Sequence, residues 1–186
     1  MKKLFLLLML PLVSFAQSSA DEDRIKRKAT RIHKQVFKVD THADVPIMMV
    51  KEGFDIGKEY DFKKDGSQID IPRMKKGNMD AMFFAVYLAQ GRRSEEGLAE
   101  AKARALAIFD TIHRAIQRYP QHLALATTHK DGPRLKKEGK IAVYIGIENG
   151  WPVGKDLSNL KLYYDLGARY MTLSHAANND ICDSSV

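Results

Sequence analysis

The chain of 186 residues has one cysteine, Cys182. No disulfide can close within it, so stability must come from a packed core or from bound groups. It has no apolar run long enough for a membrane-spanning helix, which needs about 20 residues. It also lacks a concentrated basic stripe with aromatics interleaved. Its 30 Lys and Arg are scattered among 23 Asp and Glu, as in residues 21 to 31. That pattern reads as solvated helix faces and argues against a nucleic-acid surface. No internal repeat is present, which excludes solenoid and propeller arrays.

What is present begins with a leader-like segment. Lys2 and Lys3 precede an apolar run from Leu4 to Val13, interrupted by Pro11, and Ser14-Phe15-Ala16 offers small residues before a cut at Gln17. This is the form of a secretory signal peptide, and no cysteine follows the run to carry a lipid. The expectation is removal of residues 1 to 16 and a periplasmic or secreted product with no stable membrane anchor. Loss of Lys2 and Lys3 would take the formal charge from +7 to +5.

Hydrophobic spacing predicts helices alternating with strands. Ile25, Ala29, Ile32 and Val36 recur at steps of four, three and four, which predicts a helix over 22–36. Val36 to Val39 reads as a strand giving way to a loop at His42. Residues 51–68, rich in Gly, Lys and Asp, read as a long loop. Ile69 to Met74 begins a short helix with Pro72 in its first turn. Asp80 to Leu88 is almost wholly apolar, as in a strand buried on both faces. Glu95 to Arg118 carries an apolar stripe of Leu98, Ala101, Ala105, Ile108, Ile112 and Ile116, and so reads as a long amphipathic helix. Further strands are expected at Leu123 to Ala126, Ile141 to Glu148 and Arg169 to His175, with helices at Lys130 to Lys137 and Leu157 to Leu166. Such alternation predicts a parallel α/β fold.

Three of these strands end in residues suited to metal or proton chemistry. His42 and Asp44 stand two apart, so an extended backbone presents both to one side. An imidazole and a carboxylate offered together suit a divalent cation. Glu148 closes an otherwise apolar strand, a costly place for a carboxylate unless it is paired or bound to a cation. His175 follows the last strand. In a (β/α)₈ barrel the strand C-termini converge on one pocket, which would gather these four groups. Each also has an ordinary reading: His42 as a turn cap, Asp44 as a turn carboxylate, Glu148 as half of a buried ion pair, His175 as a core hydrogen bond. Asp40 is expected to orient His42 from behind. His33, His113, His122 and His129 read as surface residues, and Trp151 either lines the pocket or packs beneath a loop. Cys182 has no paired base and takes no nucleophilic role.

Four stretches in order resemble the renal (membrane) dipeptidase family, peptidase family M19: Val-Asp-Thr-His-Ala-Asp-Val-Pro, Ile-Asp-Ile-Pro-Arg-Met-Lys-Lys-Gly-Asn-Met-Asp-Ala-Met-Phe-Phe-Ala-Val-Tyr, Ile-Gly-Ile-Glu-Asn-Gly, and Leu-Gly-Ala-Arg-Tyr-Met-Thr-Leu-Ser-His-Ala-Ala-Asn-Asn. The resemblance runs from about residue 30 to the end. It implies a TIM-like (β/α)₈ barrel with two zinc ions that hydrolyses dipeptides through a metal-activated water. By that resemblance His42 and Asp44 would bind the first zinc, Glu148 would bridge both, and His175 would contact the substrate and stabilise the tetrahedral intermediate. Two departures are visible. The family's Glu-Gly-Gly-His is here Glu148-Asn149-Gly150-Trp151. The family's two further zinc-binding histidines, a substrate-binding arginine and a further aspartate have no counterpart before Val186, which leaves the second zinc site incomplete. A full barrel takes about 250 residues, so residues 17–186 are expected to be the N-terminal part of the barrel domain, roughly five β/α units of a truncated sequence. Alternatives are another amidohydrolase-type enzyme acting on amides or lactones, and a non-catalytic fragment. A dipeptide substrate and no nucleic acid are the partner expectations, with a homodimer left open.

Overall fold

The computed structural model describes residues 20–185. The expected signal peptide, residues 1 to 16, lies outside the described residues. The chain divides into two compact units, residues 1–36 and 37–186. In the first, a helix over residues 20–35 (α1) matches the expected one, but every described residue of it is exposed, including Ile25 and Ile32. Its ion pairs are local: Arg24 with Asp21 at 3.3 Å and Lys26 with Glu22 at 3.8 Å.

The second unit is built on one sheet of five parallel strands: β1 (Val39–Ala43), β2 (Ala81–Tyr87), β3 (Leu123–Leu125), β4 (Ile141–Glu148) and β5 (Ala168–Met171). Chain order and spatial order differ. β1 pairs with β2, and β2 pairs with β4 along its length. The other edge of β4 is shared. The short β3 takes its first residues, Ile141 to Val143, and β5 takes its last, Ile145 to Ile147.

The two faces of this sheet have different partners. Met82, Phe84, Val86, Val143, Ile145 and Ile147 form a fully apolar face, as expected for strands covered by helices. α5 (Glu95–Arg118) covers it with Ala101, Ala105, Ile108, Phe109 and Ile112. That helix starts where Ser94 accepts a hydrogen bond from the Gly97 amide at 3.3 Å, with Glu95 and Glu96 placed at the positive end of its dipole. Tyr163 of α7 (Ser158–Asp165) stacks on Phe109 at 5.7 Å. The opposite face is aromatic. Phe83 stacks on Tyr144 at 4.8 Å and meets Tyr170 at 5.4 Å.

Between β1 and β2 lie three short helices: α2 (Val45–Met49), α3 (Phe62–Asp65) and α4 (Ile71–Lys76). α3 interrupts the long loop expected over 51–68, because Asp61 caps it by accepting from the Lys63 amide. Pro72 does sit in the first turn of α4, and Asp70 caps that helix. α6 (Asp131–Lys137) follows β3. Two histidines read as surface residues are half-buried: His113 Nε2 lies 2.9 Å from the Leu166 carbonyl, and His122 Nδ1 lies 3.4 Å from Lys75 Nζ. The last strand is shorter than expected. It ends at Met171, because Leu173 turns its carbonyl toward the Gly150 amide and Asn179 Nδ2. His175 therefore sits on the loop after β5 rather than at its tip.

Candidate metal centre

β1 carries a bulge that decides where His42 points. Asp40 aligns with Met82 and Ala43 with Phe84, so three residue steps on β1 oppose two on β2. The inserted residue shifts the alternation, and His42 falls on the same side as Phe83, toward the aromatic face. Asp44 follows at once as the N-cap of α2. Its carboxylate makes no capping bond to that helix. It turns instead to His42, with Oδ1 3.4 Å from Nε2. Glu148 ends β4 opposite Tyr87 and brings Oε2 to 3.0 Å from the same Nε2. His175 reaches back from its loop, with Nε2 3.2 Å from Glu148 Oε1 and its ring edge-on to Tyr87. The four groups selected from the sequence thus share one mouth at the strand C-termini.

The donor set suits one divalent cation. His42, Asp44 and Glu148 each offer a ligand atom, all within 4.8 Å of one another. Ligand atoms about 2.0–2.2 Å from one ion stand about 3–3.5 Å from each other, the range of the two separations at His42 Nε2. Among the described residues no Lys or Arg pairs with Asp44 or Glu148; the side chains within ion-pair distance of them are the imidazoles of His42 and His175. Two carboxylates around an imidazole nitrogen call for positive charge between them, which a divalent cation would supply. Glu148 is mostly buried, with 16% of its side chain exposed, whereas His42, Asp44 and His175 are open to solvent at 38%, 55% and 41%. A cavity of about 430 Å³ adjoins the cluster, walled by Asp40, Met48 and the Gly66-to-Ile69 loop.

The orienting residue differs from the expected one. Asp40 bonds the backbone N–H of His42 at 3.0 Å, not its ring. The ring's Nδ1 instead meets the Tyr170 hydroxyl at 2.9 Å. Burial first, then the nearby carboxylates of Glu148, Asp44 and Asp40, hold the Tyr170 phenol above its ordinary pKa, so it stays a hydroxyl. Sequence reading missed this residue. The one available signal was Gly146, a glycine within an apolar strand, which marks a close approach.

The loop after Glu148 is tied down by two buried amides. Asn149 adopts φ 75°, a left-handed conformation that glycine or asparagine accepts most readily. Its Nδ2 donates to the Leu88 carbonyl at 3.0 Å, its Oδ1 accepts from Asn179 at 2.9 Å, and its N–H donates to Thr172 Oγ1 at 2.8 Å. The segments following β2, β4 and β5 are thereby stitched together beside Glu148. Trp151 packs beneath a loop: it is 3% exposed, and a Cβ at Gly91 would fall on its indole.

Fold and site define a class: a parallel α/β chain with a His-Asp-Glu cluster able to hold a metal at its strand C-termini. The sequence matches the family Peptidase M19, membrane dipeptidase, over residues 26–186. The chain belongs to that family. It is 33% identical over 123 residues to dipeptidase ataJ of Aspergillus terreus, a match covering 64% of this chain and 30% of that protein. The chain thus spans under a third of the length of that curated relative. Its fold matches the probable dipeptidase PvdM of Pseudomonas aeruginosa with a TM-score of 0.77 at 23% identity, over 88% of this chain and 40% of that one. It also matches a metallo peptidase from Rhodobacter sphaeroides, liganded with a phosphinate mimic of the dipeptide L-Ala-D-Ala, with a TM-score of 0.65 at 19% identity, over 77% and 47%. The expected fold class, a TIM-like barrel present in part, is borne out by the first of these likenesses.

One expectation is corrected. The periplasmic or secreted location read from residues 1 to 16 does not stand, since the family is one of membrane dipeptidases. A short apolar leader speaks of one segment's encounter with a membrane and does not specify where the folded domain is kept. Among the described residues no helix is long and apolar enough to cross a membrane.

Proposed function

We propose that the protein to which this chain belongs is a metal-dependent dipeptidase. The carrying observation is the meeting of His42, Asp44 and Glu148 within 4.8 Å, with His175 against the far oxygen of Glu148. His42 Nε2, Asp44 Oδ1 and Glu148 Oε2 would hold a divalent cation, zinc being the ion that an imidazole-carboxylate set suits well. Bound there, such an ion supplies Lewis-acid polarisation of the peptide carbonyl and a water of lowered pKa. Glu148 Oε1, which faces His175 Nε2 at 3.2 Å rather than His42, would accept the proton of an attacking water. His175, exposed and edge-on to Tyr87, donates its ring N–H to the oxygen on which charge develops. A second zinc belongs to this reading, and Glu148 would supply one of its ligands. Residues 17–186 form the opening part of the barrel domain. The dipeptide substrate is supported by the membership in family M19 and by the dipeptide mimic carried by the Rhodobacter sphaeroides protein.

The test is an assay of the whole protein on a dipeptide panel with and without a chelator. The expected result is dipeptide hydrolysis abolished by the chelator and restored by zinc. Turnover of lactones or N-acyl compounds with no dipeptide cleaved would overturn the substrate reading, and chelator-insensitive cleavage would overturn the metal.

A further inference from the structure

We infer that Asn149 and Asn179 are a positioning pair that fixes the His175 loop to the turn after Glu148 and so holds these two side chains 3.2 Å apart. The loop after β5 has little else to hold it. Of residues 172–185 only Asn179 is buried, at 5% exposed, and the large apolar side chains of Leu173 and Ile181 face solvent. Segments with few buried contacts open readily. The hydroxyl bonds of Ser174 to the Asp183 carbonyl and of Ser184 to the His175 carbonyl stay within the loop and tie it to nothing outside. The placing of His175 therefore falls to polar contacts with the sheet's end, and the buried ones lead to Asn149.

Donor and acceptor types leave each amide one orientation, since a carbonyl only accepts and a backbone N–H only donates. Asn179 Nδ2 donates to the Leu173 carbonyl at 2.6 Å, and its Oδ1 accepts from the Ile181 and Cys182 amides at 2.8 and 3.1 Å. One side chain thus grips the loop on both sides of His175. Its Nδ2 also donates to Asn149 Oδ1 at 2.9 Å. Asn149 is fully buried, and its own Nδ2 donates to the Leu88 carbonyl and to Gln90 Oε1, while Oδ1 also accepts from the Trp151 amide. A buried network with every member satisfied is rigid. Backbone contacts run alongside. An irregularity in β5 aligns Tyr170 with Gly146 and Met171 with Ile147, so Thr172 donates its N–H to the Ile147 carbonyl and accepts from the Asn149 amide. The Gly150 amide donates to the Leu173 carbonyl, and a Cβ on Gly150 would fall 2.9 Å from that oxygen. The turn and the loop therefore meet backbone to backbone, with the two amides as the link.

The inference rests on the reading of Glu148 and His175 as partners in hydrolysis, and its test separates the two. The whole protein is compared with Asn149→Gly and Asn179→Ala. Glycine accepts the φ of 75° at residue 149 and removes only the amide. The first readout needs no turnover: the order of the His175 and His42 rings, from ¹³C relaxation of their Cε1–H groups. Both rings are expected to be ordered in the parent. In either variant the His175 ring is expected to loosen, its order parameter falling below about 0.6, while the His42 ring holds. A pair that served stability alone would lower the unfolding midpoint and leave the His175 ring as ordered as before, which would overturn the inference. So would loosening of both rings alike, or a parent His175 ring already mobile. The second readout is dipeptide hydrolysis. In either variant kcat is expected to fall about 100-fold, as a misplacement of about 1 Å does. In a His175→Ala background the same substitutions are expected to lower kcat no further, because the group they place is gone. Equal falls in both backgrounds would overturn the inference. If the parent cleaved no dipeptide, the proposed function would fail, and ring order would still decide the role of the pair. Should Asn149→Gly fail to fold, Asn179→Ala decides alone.

Discussion

Asp44 occupies the N-cap of α2 yet leaves that helix uncapped, and its carboxylate goes to His42 instead. A capping aspartate ordinarily contributes about 1 kcal/mol to its helix, and this one gives none of it. Asp44→Asn is therefore expected to leave folding stability nearly unchanged while weakening zinc binding by at least about 10-fold. Urea unfolding and chelator competition on the same protein check both halves. Glu148→Gln should weaken zinc more, because it replaces a mostly buried carboxyl group that faces two imidazoles. Both residues are visible in the sequence by type and spacing. Tyr170 is not, because nothing local marks a tyrosine whose partner stands 128 positions away.

At the level of elements, α5 and the sheet supply most of the core. Phe109 is 1% exposed and stacks on Tyr163 between that helix and α7. Phe109→Ala should cost about 3–5 kcal/mol, measurable as a fall in the urea midpoint at unchanged slope. α4 depends on one buried carboxylate. Asp70 is fully buried, accepts from the Arg73 amide at 2.8 Å and the Tyr60 amide at 3.2 Å, and pairs with Arg73 Nε at 2.8 Å. Asp70→Ala strands those donors and should destabilise by about 3–5 kcal/mol. The ends of α5 and β4 fall where the residue pattern places them, because a capping serine, a terminal proline and an unbroken apolar run are local signals. The two strand irregularities were invisible. A bulge is a property of pairing, and neither β1 nor β5 carries in its own residues the register of its neighbour.

The whole molecule couples these parts to solution conditions. Asp80 stands where β2 begins. Burial by itself raises its carboxyl, but the Lys38 amide at 2.8 Å and the ammonium groups of Lys136 and Lys38, each at 3.0 Å, outweigh that and hold it below its ordinary value. A carboxylate depressed in the folded state adds stability above its unfolded pKa, near 4, and that contribution is lost as pH falls through the folded value. Asp80→Asn should lower unfolding free energy at pH 7 and flatten its decline below about pH 4. Urea titrations at both ends of that range are the check, and a parent-like slope would count against it. Metal should stabilise the fold as a whole, by about 2.7 kcal/mol at free zinc 100 times its dissociation constant. A thermal midpoint indifferent to zinc would argue against a preformed site.

Residue types and periodicity were enough for the parallel α/β class, for the long helix and central strand, and for marking His42, Asp44, Glu148 and His175 as candidates. Those depend on local chemistry: burial periodicity, caps, and polar groups stationed at strand ends. Pairing settled the rest. It gave β3 and β5 opposite halves of one edge of β4, moved His175 onto a loop, and put a tyrosine across a glycine to hold an imidazole. Such outcomes depend on which backbones lie side by side, and contacts between distant positions leave no periodic trace in a single chain.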